Sequence, residues 1–391
     1  MTASFAAPAV SERPRLVELE SLRGLAALLV VLYHLPAWNT VLHEPVLVRN
    51  GALMVEFFFV LSGFVIASSY DGRLNTMQDA WRFQMLRFGR LYPVHLLFLL
   101  VFLGLEFLKL YAEQRHGISS PTRTPFVQNS PQAFVEHLLL LQAILQTGNQ
   151  ESFNGPSWSI SVEFYTYAVF ALVALFLRRR QYLAWALIVL ITATLIAVGV
   201  SELRFFTRCL CGFFLGCLTA KLTQRDRFPR LLDLGVVPPL CALLLVVYFM
   251  RGQPARLAVF AVTVWVIAAV VRNERTGRSG PVVDLLRSRW LVWLGTVSYS
   301  LYMCHTFVIW VANNVVRFLL HRQERIDHGE SAPQLLTWEA LIAIVATVAL
   351  SLLVSYFVYR LVEDPWRHWF RARLAVSKRK VGAGLPVDKP V

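Results

Sequence analysis

Charge is scarce in this chain, and acid is scarcer still. Only 16% of the 391 residues are charged, with 24 Asp plus Glu against 38 Lys plus Arg. Soluble domains carry about 25% charged residues, so a soluble globular enzyme and a charge-rich disordered chain are both excluded. Cysteine is sparse too. The five cysteines are Cys209, Cys211, Cys217, Cys241 and Cys304, and their spacing matches neither a CxxC redox pair nor a zinc cluster. A disulfide scaffold is thereby excluded, no metal site is expected, and the five read as thiols buried in membrane helices. Repeats, coiled-coil heptads and low-complexity tracts are missing as well. No segment between the apolar blocks is long enough to build a core of its own.

What fills the chain is apolar sequence, 56% of all residues, gathered into blocks such as Leu91–Tyr111, Trp158–Leu177, Leu231–Met250 and Trp290–Leu320. A helix needs about 20 residues to cross a bilayer core, and these blocks reach or approach that length. The expected fold class is an all-α polytopic membrane protein of about ten transmembrane helices with both termini cytoplasmic. The spans are expected at 24–42, 52–70, 91–111, 158–177, 181–200, 205–220, 231–250, 257–271, 291–320 and 336–362. Residues 1–15 lack the pattern of a cleaved signal peptide, so the first span reads as an uncleaved anchor. The stretch Phe134–Leu145 is too short to cross and is expected to lie at the interface or dip into it. Residues 1–370 read as one transmembrane domain, and 371–391 as a basic, disordered cytoplasmic tail.

The net charge of +14 would suggest nucleic acid in a soluble domain. Here most of the basic residues fall between spans, on alternate sides of the apolar blocks. Every segment assigned to the inside holds at least three of them, in keeping with the positive-inside rule. The charge therefore marks topology, and no nucleic-acid partner is expected.

Ionisable residues inside spans are costly and count as functional candidates by default. In LESLRGLAALLVVLYHL, His34 follows Arg23 by eleven residues. Eleven steps return to within about 20° of the same helical face, about 16 Å further along. The bland alternative is a snorkelling arginine and a histidine bonded across helices. In RFQMLRFGRLYP, Arg87 and Arg90 lie side by side on a helix and can grip phosphates through fork-like hydrogen bonds, although topology alone also places arginines there. Glu56, Ser62 and Gly63 fall in the second span, the last two allowing close approach. NGPSWSISVEFYTY reads as a helix start at Asn154 and Pro156, with Ser159, Glu163 and Tyr167 stacked on one face. VSYSLYMCH aligns Ser298, Tyr302 and His305, and VEDPW places Glu363 and Asp364 before a stopping Pro365. Two histidines, a glutamate and inner arginines make a polar path through an apolar bundle. Physics alone leaves open whether it serves proton-coupled transport or chemistry between the two sides.

Taken in order, these elements resemble acyltransferase family 3, the membrane O-acyltransferases that include O-antigen, nodulation-factor, peptidoglycan and macrolide acylases. The resemblance rests on Arg23-x10-His34, EFFFVLSGF, Arg87-x-x-Arg90, PSWSISVEF, SYSLYMCH and VEDP, spread over about residues 15–370. It implies a cell-membrane enzyme that moves an acyl group, expected to be acetyl, from cytoplasmic acyl-CoA to a carbohydrate or glycan hydroxyl. No tightly bound cofactor is expected, with acyl-CoA as co-substrate. His34 matches the position treated as catalytic, and Arg23, Arg87 and Arg90 match positions thought to handle the coenzyme. A neutral imidazole suits deprotonation of a hydroxyl attacking a thioester. Glu163 is the candidate carboxylate to fix the His34 tautomer, and Arg23 is a second catalytic candidate as a stabiliser of charge on the thioester oxygen. Ser159, Tyr302 and His305 are assigned to substrate binding. Some relatives carry an extra outer domain that receives the acyl group; these residues include none, which carries the expectation of direct transfer to a small or lipid-linked acceptor or to a partner protein. The competing expectations are a glycan transporter and a non-catalytic scaffold.

Overall fold

A computed structural model describes residues 16–117, 124–145, 147–200, 202–224, 234–327 and 330–382. Helices dominate: α1 (Val17–His34), α2 (Met54–Tyr70), α3 (Met77–His116), α4 (Pro131–Leu138), α5 (Trp158–Phe176) and α6 (Gln181–Val198) come first. They are followed by α7 (Arg204–Gln224), α8 (Val237–Phe249), α9 (Gly252–Thr276), α10 (Arg289–Leu320), α11 (Thr337–Val358) and α12 (Asp364–Gly382). The all-α polytopic architecture is borne out. Among the described residues, eight helices are long and apolar enough to cross a membrane. The two other expected spans are the 13-residue α8 and α1, which carries Glu18, Glu20 and Arg23 within its 18 residues. One small hairpin, β1 (Glu324–Asp327) paired antiparallel with β2 (Glu330–Pro333), interrupts the connection between α10 and α11, where the sequence suggested no strand.

Several boundaries differ from expectation, each for a local reason. Helix α1 stops at His34 instead of running to Leu42, because Leu35 precedes Pro36 and takes an extended conformation (φ −60°, ψ 139°). Helix α3 begins fourteen residues earlier than the apolar block, launched by a capping box between Thr76 and Asp79, so Arg87 and Arg90 ride on a continuous helix. The Phe134–Leu145 stretch is only partly helical. It turns at Leu140, whose φ is +57°, and its carbonyl accepts from Ser161 Oγ at 2.5 Å. Pro365 does not stop the chain. A π turn over Tyr359–Glu363 widens the helix just before it, which relieves the clash of the proline ring with the preceding turn, and α12 continues. Residues 371–382, expected to begin a disordered tail, are therefore helical; the rest of that tail, 383–391, lies outside the described residues. Four of the five cysteines are buried, whereas Cys241 is exposed on α8.

Two glycine-mediated crossings position the functional region. The most extensive packing is α2 against α7, followed by α1 against α10. At the first, a Cβ on Gly63 would stand 1.8 Å from the Phe213 carbonyl oxygen, and one on Gly216 2.0 Å from that of Val60. At the second, a Cβ on Gly295 would stand 2.1 Å from the Glu20 carbonyl oxygen. Backbones this close are possible only where small residues line the interface. Helices α1, α2, α3, α5 and α10 thus converge on a common space.

Candidate functional site

The convergence leaves a cavity of about 120 Å3. Its polar lining comes from Arg23, Ser62, Arg90, Ser159, Glu163, Tyr167, Ser298, Tyr299 and Tyr302, set among apolar side chains of α2 and α5. The three-residue stack expected on α5 is therefore realised: Ser159, Glu163 and Tyr167 all face this space. A mostly apolar pocket with a few convergent polar groups is the usual form of a small-molecule site.

Arg23 is fixed by α10. Its Nε donates to Ser298 Oγ at 2.9 Å and its Nη2 to the Gly295 carbonyl at 2.8 Å, a contact made possible by the close crossing. Arg90 lines the same end of the cavity, and among the described residues it forms no ion pair. Arg87, one turn away, donates from Nη2 to Tyr70 Oη at 3.4 Å and lies over the Tyr70 and Phe83 rings. Glu363, buried in the π turn, accepts from Ser300 Oγ at 2.7 Å. In the sequence Glu363 stands only as a residue before Pro365, with no role of its own.

Glu163 is committed elsewhere than expected. Ser62 Oγ and Tyr167 Oη each donate to its Oε1 at 2.5 Å, and the two hydroxyls lie 2.9 Å apart. The expected role as carboxylate partner of His34 is corrected: α5 turns Glu163 toward α2, and His34 finds different partners. Its Nδ1 lies 2.9 Å from the Val30 carbonyl and 3.3 Å from His305 Nε2. His305 Nδ1 lies in turn 3.3 Å from the Leu301 carbonyl. A carbonyl can only accept, so this geometry assigns the proton of each imidazole to Nδ1. His305 Nε2 then shares the one His34 Nδ1 proton with the Val30 carbonyl, and His34 Nε2 is left with a free lone pair. The Arg23–His34 stripe of α1 therefore faces one stripe of α10, Arg23 against Ser298 and His34 against His305.

The histidines stand just beyond the cavity rather than in its wall. Tyr302 separates them: its Oη bonds Ser159 Oγ at 2.9 Å and donates to the Pro156 carbonyl at 3.1 Å. Its ring is 6.0 Å from that of His305. Asn154, noted in the sequence only as part of a helix start, brackets His305. It donates to the Met303 carbonyl at 3.0 Å and accepts from Thr306 Oγ1 at 2.7 Å. Outside this region, Glu56 pairs with Arg208 at 2.7 Å and Arg256 at 3.3 Å, tying α2, α7 and α9 together. No group of acids, histidines and cysteines fit to hold a metal ion occurs among the described residues.

Known proteins give the arrangement its context. A family model described as an acyltransferase domain matches residues 16–359. Acyltransferase MdmB of Streptomyces mycarofaciens is 32% identical over 41% of this chain and 40% of its own length. YrhL of Bacillus subtilis, a proposed peptidoglycan O-acetyltransferase, is 25% identical over 93% of this chain and 57% of its own. BcsY of Komagataeibacter xylinus, a proposed membrane-bound transacylase, is 28% identical over 95% and 87% respectively. The chain thus spans only about half the length of the first two relatives. No solved structure matches. With the matched region covering every helix that lines the cavity, the chain belongs to the acyltransferase family 3 of membrane acyltransferases.

Proposed function

We propose that this protein is a cell-membrane O-acyltransferase that moves an acyl group, acetyl in the simplest case, from cytoplasmic acyl-CoA to a carbohydrate or glycan hydroxyl. The observation that carries the reading is the His34–His305 pair, which leaves His34 Nε2 as an unprotonated, unpartnered base just beyond a cavity whose wall includes Arg23 and Arg90. Arg23 and Arg90 provide fixed positive charge for an anionic coenzyme. The apolar walls of α2 and α5 suit the pantetheine arm, and Tyr302 faces the acyl end.

In the reaction, His34 Nε2 takes the proton of the acceptor hydroxyl as its oxygen attacks the thioester carbonyl. The resulting tetrahedral intermediate collapses with cleavage of the carbon–sulfur bond. The departing CoA thiolate takes the proton back from His34, giving the ester, free CoA and a regenerated imidazole. His305 holds the His34 tautomer through Nδ1, a task that carboxylates perform in many other sites. Glu163, with Ser62 and Tyr167, supplies a compact hydrogen-bonded cluster on the cavity wall for recognising polar groups of the substrate.

The test pairs a deletion strain with purified protein. Mass spectrometry of surface glycans should lose one acyl mass, and the protein should release thiol from acetyl-CoA only when an acceptor is present. Labelled glycan crossing vesicles without covalent change would instead support transport and reject transfer.

A further inference from the structure

Helix α12 carries arginines to the same end of the bundle, and nothing in the reaction above uses them. It lies against α3 where Gly89 has no side chain: a Cβ there would stand 2.3 Å from the Phe370 ring. Phe88 and Trp366 pack around Phe370 with ring centroids 6.1 and 6.3 Å away. Gly89 sits between Arg87 and Arg90 in sequence, and Arg371 follows Phe370. This seat therefore brings Arg371 within electrostatic range of Arg87, Arg90, Arg367 and the Tyr70 phenol.

Four guanidinium groups share this corner. Among the described residues the one carboxylate that bonds any of them is Asp364, to Arg367 at 2.5 Å. The Nε groups of Arg87 and Arg367 are buried without a hydrogen-bond partner. A buried donor left unpaired costs about 1–3 kcal/mol, and clustered cations add mutual repulsion. The positive-inside rule accounts for arginines on this side, but not for their convergence through a glycine seat or for the unsatisfied donors. An oxyanion with several acceptor oxygens answers both.

We infer that Arg367 and Arg371 of α12 join Arg87 to form a phosphate-binding mouth to the cavity, which takes the ribose 3′-phosphate and the diphosphate of the acyl donor. Arg90, one turn deeper and in the cavity wall, receives the diphosphate end nearer the pantetheine arm. The inference rests on the coenzyme reading above. The same chemistry is offered by the headgroup of an anionic lipid, and the experiment separates the two.

The full chain is placed in nanodiscs of phosphatidylcholine alone or with phosphatidylglycerol, and binding of CoA and 3′-dephospho-CoA is measured for wild type, Arg371→Ala and Arg371→Lys. Arg371 is exposed, so its replacement leaves the packing of α12 intact. The wild type should prefer CoA by about tenfold or more, the value of one charge-assisted contact. Arg371→Ala should lose most of that preference with little change for dephospho-CoA, and Arg371→Lys should restore part of it. An unchanged preference in Arg371→Ala, with CoA still bound, overturns the role of α12 and leaves the donor reading standing. If neither nucleotide binds in either disc, the donor reading itself fails. If Arg371→Ala alters only phosphatidylglycerol retention, the corner is a lipid site and the inference is overturned.

Discussion

Gly295→Ala probes the link between the α1–α10 crossing and the site. The added methyl would stand 2.1 Å from the Glu20 carbonyl oxygen and 2.5 Å from its carbon. Ordinary contact begins near 3.4 Å, so α1 must retreat by more than an ångström. The Arg23 Nη2 bond to the Gly295 carbonyl, now 2.8 Å, and the Nε bond to Ser298, now 2.9 Å, would pass beyond hydrogen-bond range. Overpacking of this kind costs about 1–3 kcal/mol, and the two lost charge-assisted bonds add a comparable amount. A catalytic misplacement near 1 Å is worth about 100-fold in rate. The assay is thiol release from acetyl-CoA with acceptor, alongside the thermal midpoint in detergent. Gly63→Ala at the α2–α7 crossing serves for comparison, since it strains a different pair of helices. The expected outcome for Gly295→Ala is a lower midpoint and a loss of about 100-fold in activity that no acceptor concentration restores. An unchanged midpoint with activity within about twofold of wild type would refute the close crossing and the site built on it.

Three further outcomes follow from the same geometry. Asn154→Ala removes the bonds to Met303 and Thr306 that bracket His305; at about 1 kcal/mol each, the midpoint should fall modestly and kcat by about tenfold or more, with donor KM unchanged. A change in KM alone would contradict positioning of the histidine pair. Arg90→Ala should mainly raise the apparent KM for the donor, and an effect confined to acceptor affinity would reject the coenzyme assignment. The third outcome concerns His137, on the short α4 between the membrane-spanning α3 and α5, which is buried against Ser152 and the Asn149 carbonyl. Burial, with His95 nearby, pushes its pKa down to about 3. The unfolded chain titrates near 6.5 and binds more protons below that pH, so stability should fade as pH drops from about 6.5 toward 3. His137→Gln should flatten this dependence of the thermal midpoint, and an unaltered slope would show that another group controls it.

Much of this architecture is legible in the sequence, because apolar length and helical spacing are local properties. The faces carrying Arg23 and His34, or Ser298, Tyr302 and His305, follow from 3.6-residue periodicity, and both stripes meet as their spacing allows. Which helices face one another is not local. The pairing of His34 with His305, and of Glu163 with Ser62, depends on crossings set by Gly63, Gly216 and Gly295, whose role shows only when partners are known. Pro36 carried a readable helix stop that hydropathy overrode. Pro365 carried one that the π turn at Tyr359–Glu363 annulled, and with it the reach of α12 toward Arg87 was hidden. Glu363 and Asn154 escaped notice as site residues because a carboxylate at a helix end and an asparagine before a proline have ordinary structural roles.

His34 as the base is the central claim of the mechanism. The most direct measurement is single-turnover acyl transfer from labelled acetyl-CoA by purified His34→Ala, with donor binding and thermal midpoint recorded on the same sample. Transfer should fall by about 100-fold or more while CoA still binds and the midpoint stays within a few degrees of wild type. Transfer at the wild-type rate by a folded, CoA-binding His34→Ala protein would contradict the account.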